Sequence, residues 1–194
     1  MFTGLYQSVL ILAVIATYYL LDFWLISRYD RQRQAAGSGR SWDYTIMIFA
    51  AVSAMILQPV IIPSLSLNIE AAWGALVQAA GIALTLIGFG LHAWSRLHLQ
   101  HFYAERVERQ PGHVVINTGP YAYVRHPVFT SFFMLMIGLF FINPAVPTML
   151  MVIYTFWDFS RAARAEEELL SRDVPGYADY MAQTPPFFPK LGVK

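Results

Sequence analysis

The sequence contains no cysteine, and only 13% of its 194 residues are charged. The first absence excludes disulfides, thiolate metal sites and a cysteine nucleophile. The second sets the chain apart from water-soluble domains, in which about 25% of residues are charged. No internal repeat or low-complexity tract is present, and no His-x-x-x-His spacing occurs, so no metal site is expected. A net charge of +1 gives no reason to expect nucleic-acid binding. The first apolar stretch has no basic leader and no small-x-small cleavage signal before Arg28, so it is expected to remain as a span.

What is there is apolar: 57% hydrophobic residues and a mean hydropathy of +0.46. Five runs stand out, at about 4–27, 44–62, 72–95, 128–142 and 145–160. A spanning helix needs roughly 20 apolar residues, which the first three supply. The last two are shorter and are separated by Asn143, Pro144, Ala145, Val146 and Pro147, a turn signal. They are expected to form a tight helical hairpin. The fold class is therefore all-α: an integral membrane protein of about five transmembrane helices, with a cytosolic loop and a C-terminal helix. Residues 1–194 read as one domain, in which 31–41 form a flexible loop and not a linker.

All 13 Lys and Arg residues fall in the first loop, the third loop or the tail if there are five spans. Cytoplasmic loops carry the Lys/Arg excess. The expected orientation is N-terminus outside, with the 101–127 segment and the C-terminus cytoplasmic. The membrane would be the inner membrane in a bacterium and the endoplasmic reticulum in a eukaryote.

The polar segment 101–127 between two apolar runs carries His101, Arg106, Arg109, His113, Tyr121, Arg125 and His126. Pro127 suits the first turn of a helix, where a missing N–H costs nothing, and the first-turn N–H groups would offer an anion site. The plain reading makes Arg125 a snorkelling side chain and His126 an interfacial one. On the tail, helical spacing puts Arg161 and Arg164 on a face with Glu168, Arg164 and Glu168 being an i,i+4 pair. That pattern also fits a solvated helix end. Asp22 and Asp158 lie within spans, where a carboxylate is a functional candidate by default; the plain readings place Asp22 near the interface and pair Asp158 with Arg161. His92 and His98 share no face. Pro185–Pro189 gives a stiff apolar terminus that lies on the bilayer or caps a cavity.

Gly112-His113-x-Val115, Gly119-Pro120-Tyr121, Arg125-His126-Pro127, a helical hairpin, an Arg…Glu-Glu helix, Tyr177 with Tyr180, and a terminal Phe-Pro occur in that order. As a set over residues 95–190 they resemble the isoprenylcysteine carboxyl methyltransferase family, which is related to phospholipid methyltransferases. The resemblance implies a variable three-helix half (1–95) and a cofactor-binding half (96–194). It implies an S-adenosylmethionine site facing the cytosol, closed by the loop before Arg125 and by the C-terminal helix. His113, Gly119, Tyr121, His126 and Pro127 would line it, and one glutamate of the 166–168 run, with Glu166 and Glu167 the candidates, would hold the cofactor's polar end. Arg161 or Arg164, with Arg125, would face the reacting centre. The family pattern is Arg, three residues, then Glu-Glu; here Arg161 precedes Glu166 by five positions and Arg164 by two, which leaves the glutamate register open by one residue.

The implied acceptor is lipophilic, an isoprenylcysteine-type carboxylate reached through lipid. Its carboxylate is already deprotonated, so no base–nucleophile pair is required. Other readings are a phospholipid amine or small thiol as acceptor, an NADPH-dependent membrane reductase, and a non-enzymatic membrane protein. Against the last, polar residues concentrate at one membrane face and not at the midplane, where transporter sites lie.

Overall fold

A computed structural model describes residues 1–29, 42–67, 71–99 and 115–190; the loop expected at 31–41 and His113 lie outside them. The described residues form six helices: α1 (Gly4–Tyr29), α2 (Trp42–Ile61), α3 (Ala71–Leu99), α4 (Pro127–Ile142), α5 (Val146–Asp173) and α6 (Tyr177–Gln183). Short 3₁₀ turns occupy Pro63–Leu65 and Gly119–Ala122. No strand is present among the described residues beyond an isolated bridge between Ser66 and Ala145.

Three of these helices contain segments long and apolar enough to cross a membrane, Gly4–Leu25, Trp42–Ile61 and Trp73–Leu99, and α4 is a shorter apolar helix. Their outward faces carry bare hydrophobic side chains, among them Phe23, Phe49, Leu76 and Leu86. Such a continuous apolar exterior suits lipid and not water.

α3 and α4 are antiparallel and approach closely because small residues meet at their crossing. Gly81 packs on the backbone of Gly138, Gly88 on Leu135, and His92 on Ser131. Without a hydrophobic drive between helices in lipid, such close backbone packing is a main source of association. α1 runs parallel to α3: the Phe2 backbone exchanges hydrogen bonds with the Gln78 side chain at one end, and Asp22 meets His92 at the other.

α4 begins at Pro127 and ends at Ile142, whose carbonyl accepts from the Gln7 and Gln78 amides. Those side chains satisfy an acceptor that the helix end leaves open. Asn143 to Ala145 turn the chain into α5, and the Thr148 hydroxyl donates to the Asn143 carbonyl at 2.6 Å. α5 folds back on α4 through aromatic contacts, with Phe133 stacked on Phe156 at 4.0 Å and Phe129 against Phe159 at 4.9 Å. It then runs on past the end of α4 as an increasingly charged helix. Gly176, at φ 82°, breaks the chain before α6 in a conformation that favours glycine.

Candidate active site

The start of α4, the outer half of α5 and the α6 tail meet at one end of the bundle. Arg125 Nε donates to Glu167 Oε1 at 2.7 Å, and its Nη1 donates to the carbonyls of Met181 (2.7 Å) and Thr184 (2.5 Å). The backbone N–H groups of Arg125 and His126 donate to the carbonyls of Pro185 and Pro186. The tail therefore takes up the two backbone donors that precede α4, and Arg125 is a three-way clamp between elements.

His126 is buried, not interfacial. Its Nε2 lies 2.8 Å from Glu167 Oε1 and its Nδ1 3.5 Å from Glu166 Oε2. Carboxylates beside both ring nitrogens favour the imidazolium, the one form that can donate from both. Burial works against its charge, but the hydrogen bonds and charges of Glu166 and Glu167 outweigh it and raise the pKa above 6.5. For Glu167, burial raises the pKa, while hydrogen bonds from His126 and Arg125 lower it further, leaving it below 4.5. The ring stacks on Phe129 at 5.4 Å and meets Phe187 at 5.7 Å. Beneath the cluster, the Tyr180 hydroxyl donates to the Tyr121 carbonyl at 2.6 Å, and burial pushes its pKa up to about 12.

This cluster forms the polar end of a cavity of about 430 Å³. Tyr121, Arg125, His126 and Glu166 line that end. Away from it the walls become aromatic, with Phe129, Phe132 and Phe159, and then aliphatic, with Val14, Val52, Met55 and Leu139 from α1, α2 and α4. Volume and composition match a site for a small molecule with one polar and one apolar part.

Several expected residues stand elsewhere. Arg161 and Arg164 are exposed and do not line the cavity; Arg161 lies over the Trp157 ring at 4.7 Å. Glu168 pairs with Arg172 at 2.9 Å and not with Arg164. The reason is helical phase: the α5 face turned inward carries Asp158, Ala162, Glu166, Leu169 and Leu170. Gly119 and Pro127 do not line the cavity either. Gly119, at φ 56°, lets the chain pass where any Cβ would strike the His98 ring, and Pro127 fills the buried first turn of α4.

The sequence reading named Asp22 and His92 separately and missed that they meet. His92, fully buried, bridges Ser131 Oγ (3.2 Å) and Asp22 Oδ1 (3.3 Å), and Arg96 reaches the same Asp22 oxygen at 3.3 Å. Asp22 is thus tied to α3, and it lines the cavity. The available signal was the i,i+4 spacing of His92 and Arg96 opposite an intramembrane Asp.

Residues 81–172 match the model of the isoprenylcysteine carboxyl methyltransferase (ICMT) family. The match takes in 92 of the 194 residues. A solved structure titled as the eukaryotic intramembrane Ras methyltransferase ICMT superposes with a TM-score of 0.70 at 22% identity, covering 97% of this chain and 70% of that one. It shares the fold. The chain is 22% identical over 183 residues to the protein-S-isoprenylcysteine O-methyltransferase of Saccharomyces cerevisiae, covering 87% of this chain and 76% of the yeast protein. It is 27% identical over 118 residues to the nickel-cobalt-cadmium resistance protein NccN of Alcaligenes xylosoxydans xylosoxydans, and 25% over 122 residues to the cobalt-zinc-cadmium resistance protein CzcN of Cupriavidus metallidurans. The first match covers 60% of this chain, the second 62%, and each takes in 54% of the relative. The chain thus spans about half the length of these two curated relatives. With Glu166 and Glu167 as the glutamates that contact His126, the arginine of the ICMT pattern falls on Ala162, which lines the cavity.

Proposed function

We propose that this protein is an integral membrane methyltransferase of the ICMT family. It would use S-adenosylmethionine to methylate the carboxylate of a lipophilic, isoprenylcysteine-type acceptor. The observation that carries the reading is the cavity itself: one space with a charged end at the α4–α5–α6 junction and aliphatic walls among α1, α2 and α4. Five spans, with α4 and α5 as the returning hairpin and the charged end cytoplasmic, put the first part in water and the second in lipid.

The residues suit the donor. Glu166 is partly exposed at the cavity's charged end and engaged on one side by His126, so it retains acceptor capacity for an ammonium group. Phe129 and Phe159 supply flat apolar surface beside it. When bound, S-adenosylmethionine supplies a methyl group already activated on a sulfonium sulfur. The remaining work is positioning and exclusion of water, which can contribute about 7–11 kcal/mol to such a transfer. His126 and Arg125 hold the Glu166–Glu167 pair in place, Tyr121 and the tail close the charged end, and the aromatic walls keep water from the acceptor. A carboxylate needs no proton removed, and no side chain here is assigned as a base.

The test uses purified protein in detergent. S-adenosylmethionine and its demethylated product should each raise the melting temperature, and NADPH should not. With a labelled donor and a prenylated cysteine acceptor, the label should be released as methanol by alkali, the mark of a methyl ester. No stabilisation by either cofactor form would overturn the cofactor assignment, and alkali-stable label would overturn carboxyl methylation.

A further inference from the structure

Between its charged end and its aliphatic end, the cavity is walled by touching rings drawn from three helices. Phe129 and Phe132 come from α4, Phe159 from α5 and Tyr18 from α1, and all four line the cavity. Phe159 meets Phe129 at 4.9 Å and Phe132 at 5.0 Å, and Phe132 meets Tyr18 at 5.0 Å. The planes of Phe132 and Phe159 are 86° apart, so these two rings form a corner. Phe129 is already stacked on His126, with only 8° between the planes. The corner is supported by His92, which is fully buried and packs on Phe132 at 5.7 Å and on Tyr18 at 5.2 Å. His92 is held in turn by Asp22 and Ser131.

The face of an aromatic ring carries negative potential, and it attracts a cation within about 6 Å of its centroid, most strongly where water is excluded. Aromatic corners suit cations with no N–H to donate, of which the quaternary ammonium group is the usual example. A sulfonium, with three carbon substituents on sulfur, is a cation of the same kind. Phe159 lies seven residues before Glu166 on α5, about 10 Å along the helix at 1.5 Å per residue. Four bonds of about 1.5 Å separate the donor's ammonium nitrogen from its sulfur. With a hydrogen bond of about 2.8 Å from that ammonium to Glu166, the sulfur comes within ring distance of Phe159.

We propose that Phe132 and Phe159, with Tyr18 beside them, form an aromatic cage that recognises the positive charge of the donor's sulfonium and so distinguishes the donor from its demethylated product. The inference rests on S-adenosylmethionine as the methyl donor. A ring face supplies this recognition without a lone pair, so it cannot take the methyl in place of the acceptor. The product's sulfur is an uncharged thioether, to which the cage offers no such attraction. That difference favours exchange of product for fresh donor.

The experiment reads binding and not turnover, by isothermal titration calorimetry on the full chain in detergent with no acceptor present. The quantity measured is the ratio of affinities for S-adenosylmethionine and S-adenosylhomocysteine. Relative to wild type, Phe159→Leu and Phe132→Leu should each lower that ratio by about tenfold. Affinity for S-adenosylhomocysteine should stay within about threefold of wild type. Where leucine disturbs folding, 3,4,5-trifluorophenylalanine at position 159 keeps the ring while weakening the negative potential of its face, and it should lower the ratio too. Phe159→Tyr should retain the wild-type ratio. Asp158 lines the cavity beside Phe159 in sequence and is the competing source of charge recognition. A ratio that falls in Asp158→Asn but holds in the leucine and trifluorophenylalanine variants would overturn the inference, as would a ratio unchanged in all of them. Either result leaves the cofactor reading standing. Binding of neither ligand by wild type would overturn that reading and this inference with it.

Discussion

At the scale of single residues, the site depends on two charges of each sign brought together at the cavity's charged end. Arg125 and His126 are consecutive in the chain, and Glu166 and Glu167 are consecutive on α5, so four charges need only two backbone positions brought together. Breaking one side of such a cluster leaves the other uncompensated, which is why buried pairs are costly to disrupt. The pH dependence follows with a definite sign. His126 has a folded pKa raised above its ordinary 6.5, so its contribution to stability is complete below 6.5 and is lost as pH rises through the raised value. Glu167 has a folded pKa below its ordinary 4.5, so its contribution is complete above 4.5 and is lost as pH falls through the lowered value. The two overlap fully between pH 4.5 and 6.5. Melting temperature in detergent should therefore decline on the alkaline side of that window, and His126→Gln should flatten the alkaline limb. An unchanged limb in the variant would show that some other group titrates there.

At the scale of elements, the position of His126 depends on how closely α4 can approach α3. A Cβ built on Gly138 would lie 2.8 Å from the Gly81 carbonyl and closer still to the Thr85 hydroxyl; one on Gly81 would lie 2.7 Å from the Gly138 carbonyl. Both obstacles include backbone, which cannot swing aside. Gly138→Ala should destabilise the protein by about 2 kcal/mol, the usual scale for overpacking. Gly90 supplies the control: it lies on the same α3, with nothing within 4 Å of a built Cβ. There alanine should be neutral or stabilising by up to about 1 kcal/mol, from helix propensity. Thermal or denaturant unfolding of the two variants in one detergent checks the contrast, and equal effects would refute the packing argument. The helices themselves were legible as apolar runs, including the extension of α5 beyond the bilayer-length run. Which face each helix presents was not. Hydrophobicity surrounds α4 almost entirely, so sequence periodicity carries little information about its phase. For α5, the charged residues Arg161 and Arg164 drew attention to the outward face.

At the scale of the whole molecule, the grouping of His126 with a glutamate of α5 came from the family resemblance that the order of the motifs carries, while the contact of Arg125 with Glu167 did not. The Asp22–His92–Ser131 contact was not legible, because it joins α1, α3 and α4 across a depth that no local pattern reports. Orientation remains an argument from charge, and the absence of cysteine makes it directly testable, since any introduced thiol is the sole target of a maleimide. Ser64 lies in the turn after α2, beside the α4–α5 connection, where Leu67 N–H donates to the Pro144 carbonyl. Ser171 is exposed near the end of α5, beyond the charged cluster. These positions belong to opposite ends of the bundle. Five spans with every Lys and Arg on the cytoplasmic side require Ser64→Cys to react with an impermeant maleimide added outside intact cells, and Ser171→Cys to react only after the membrane is opened. Labelling of both from one side would break the five-span topology. The reverse pattern would keep the topology but place the charged end of the cavity away from the cytosol, where the soluble methyl donor is made, and the proposed reaction would then lose its supply.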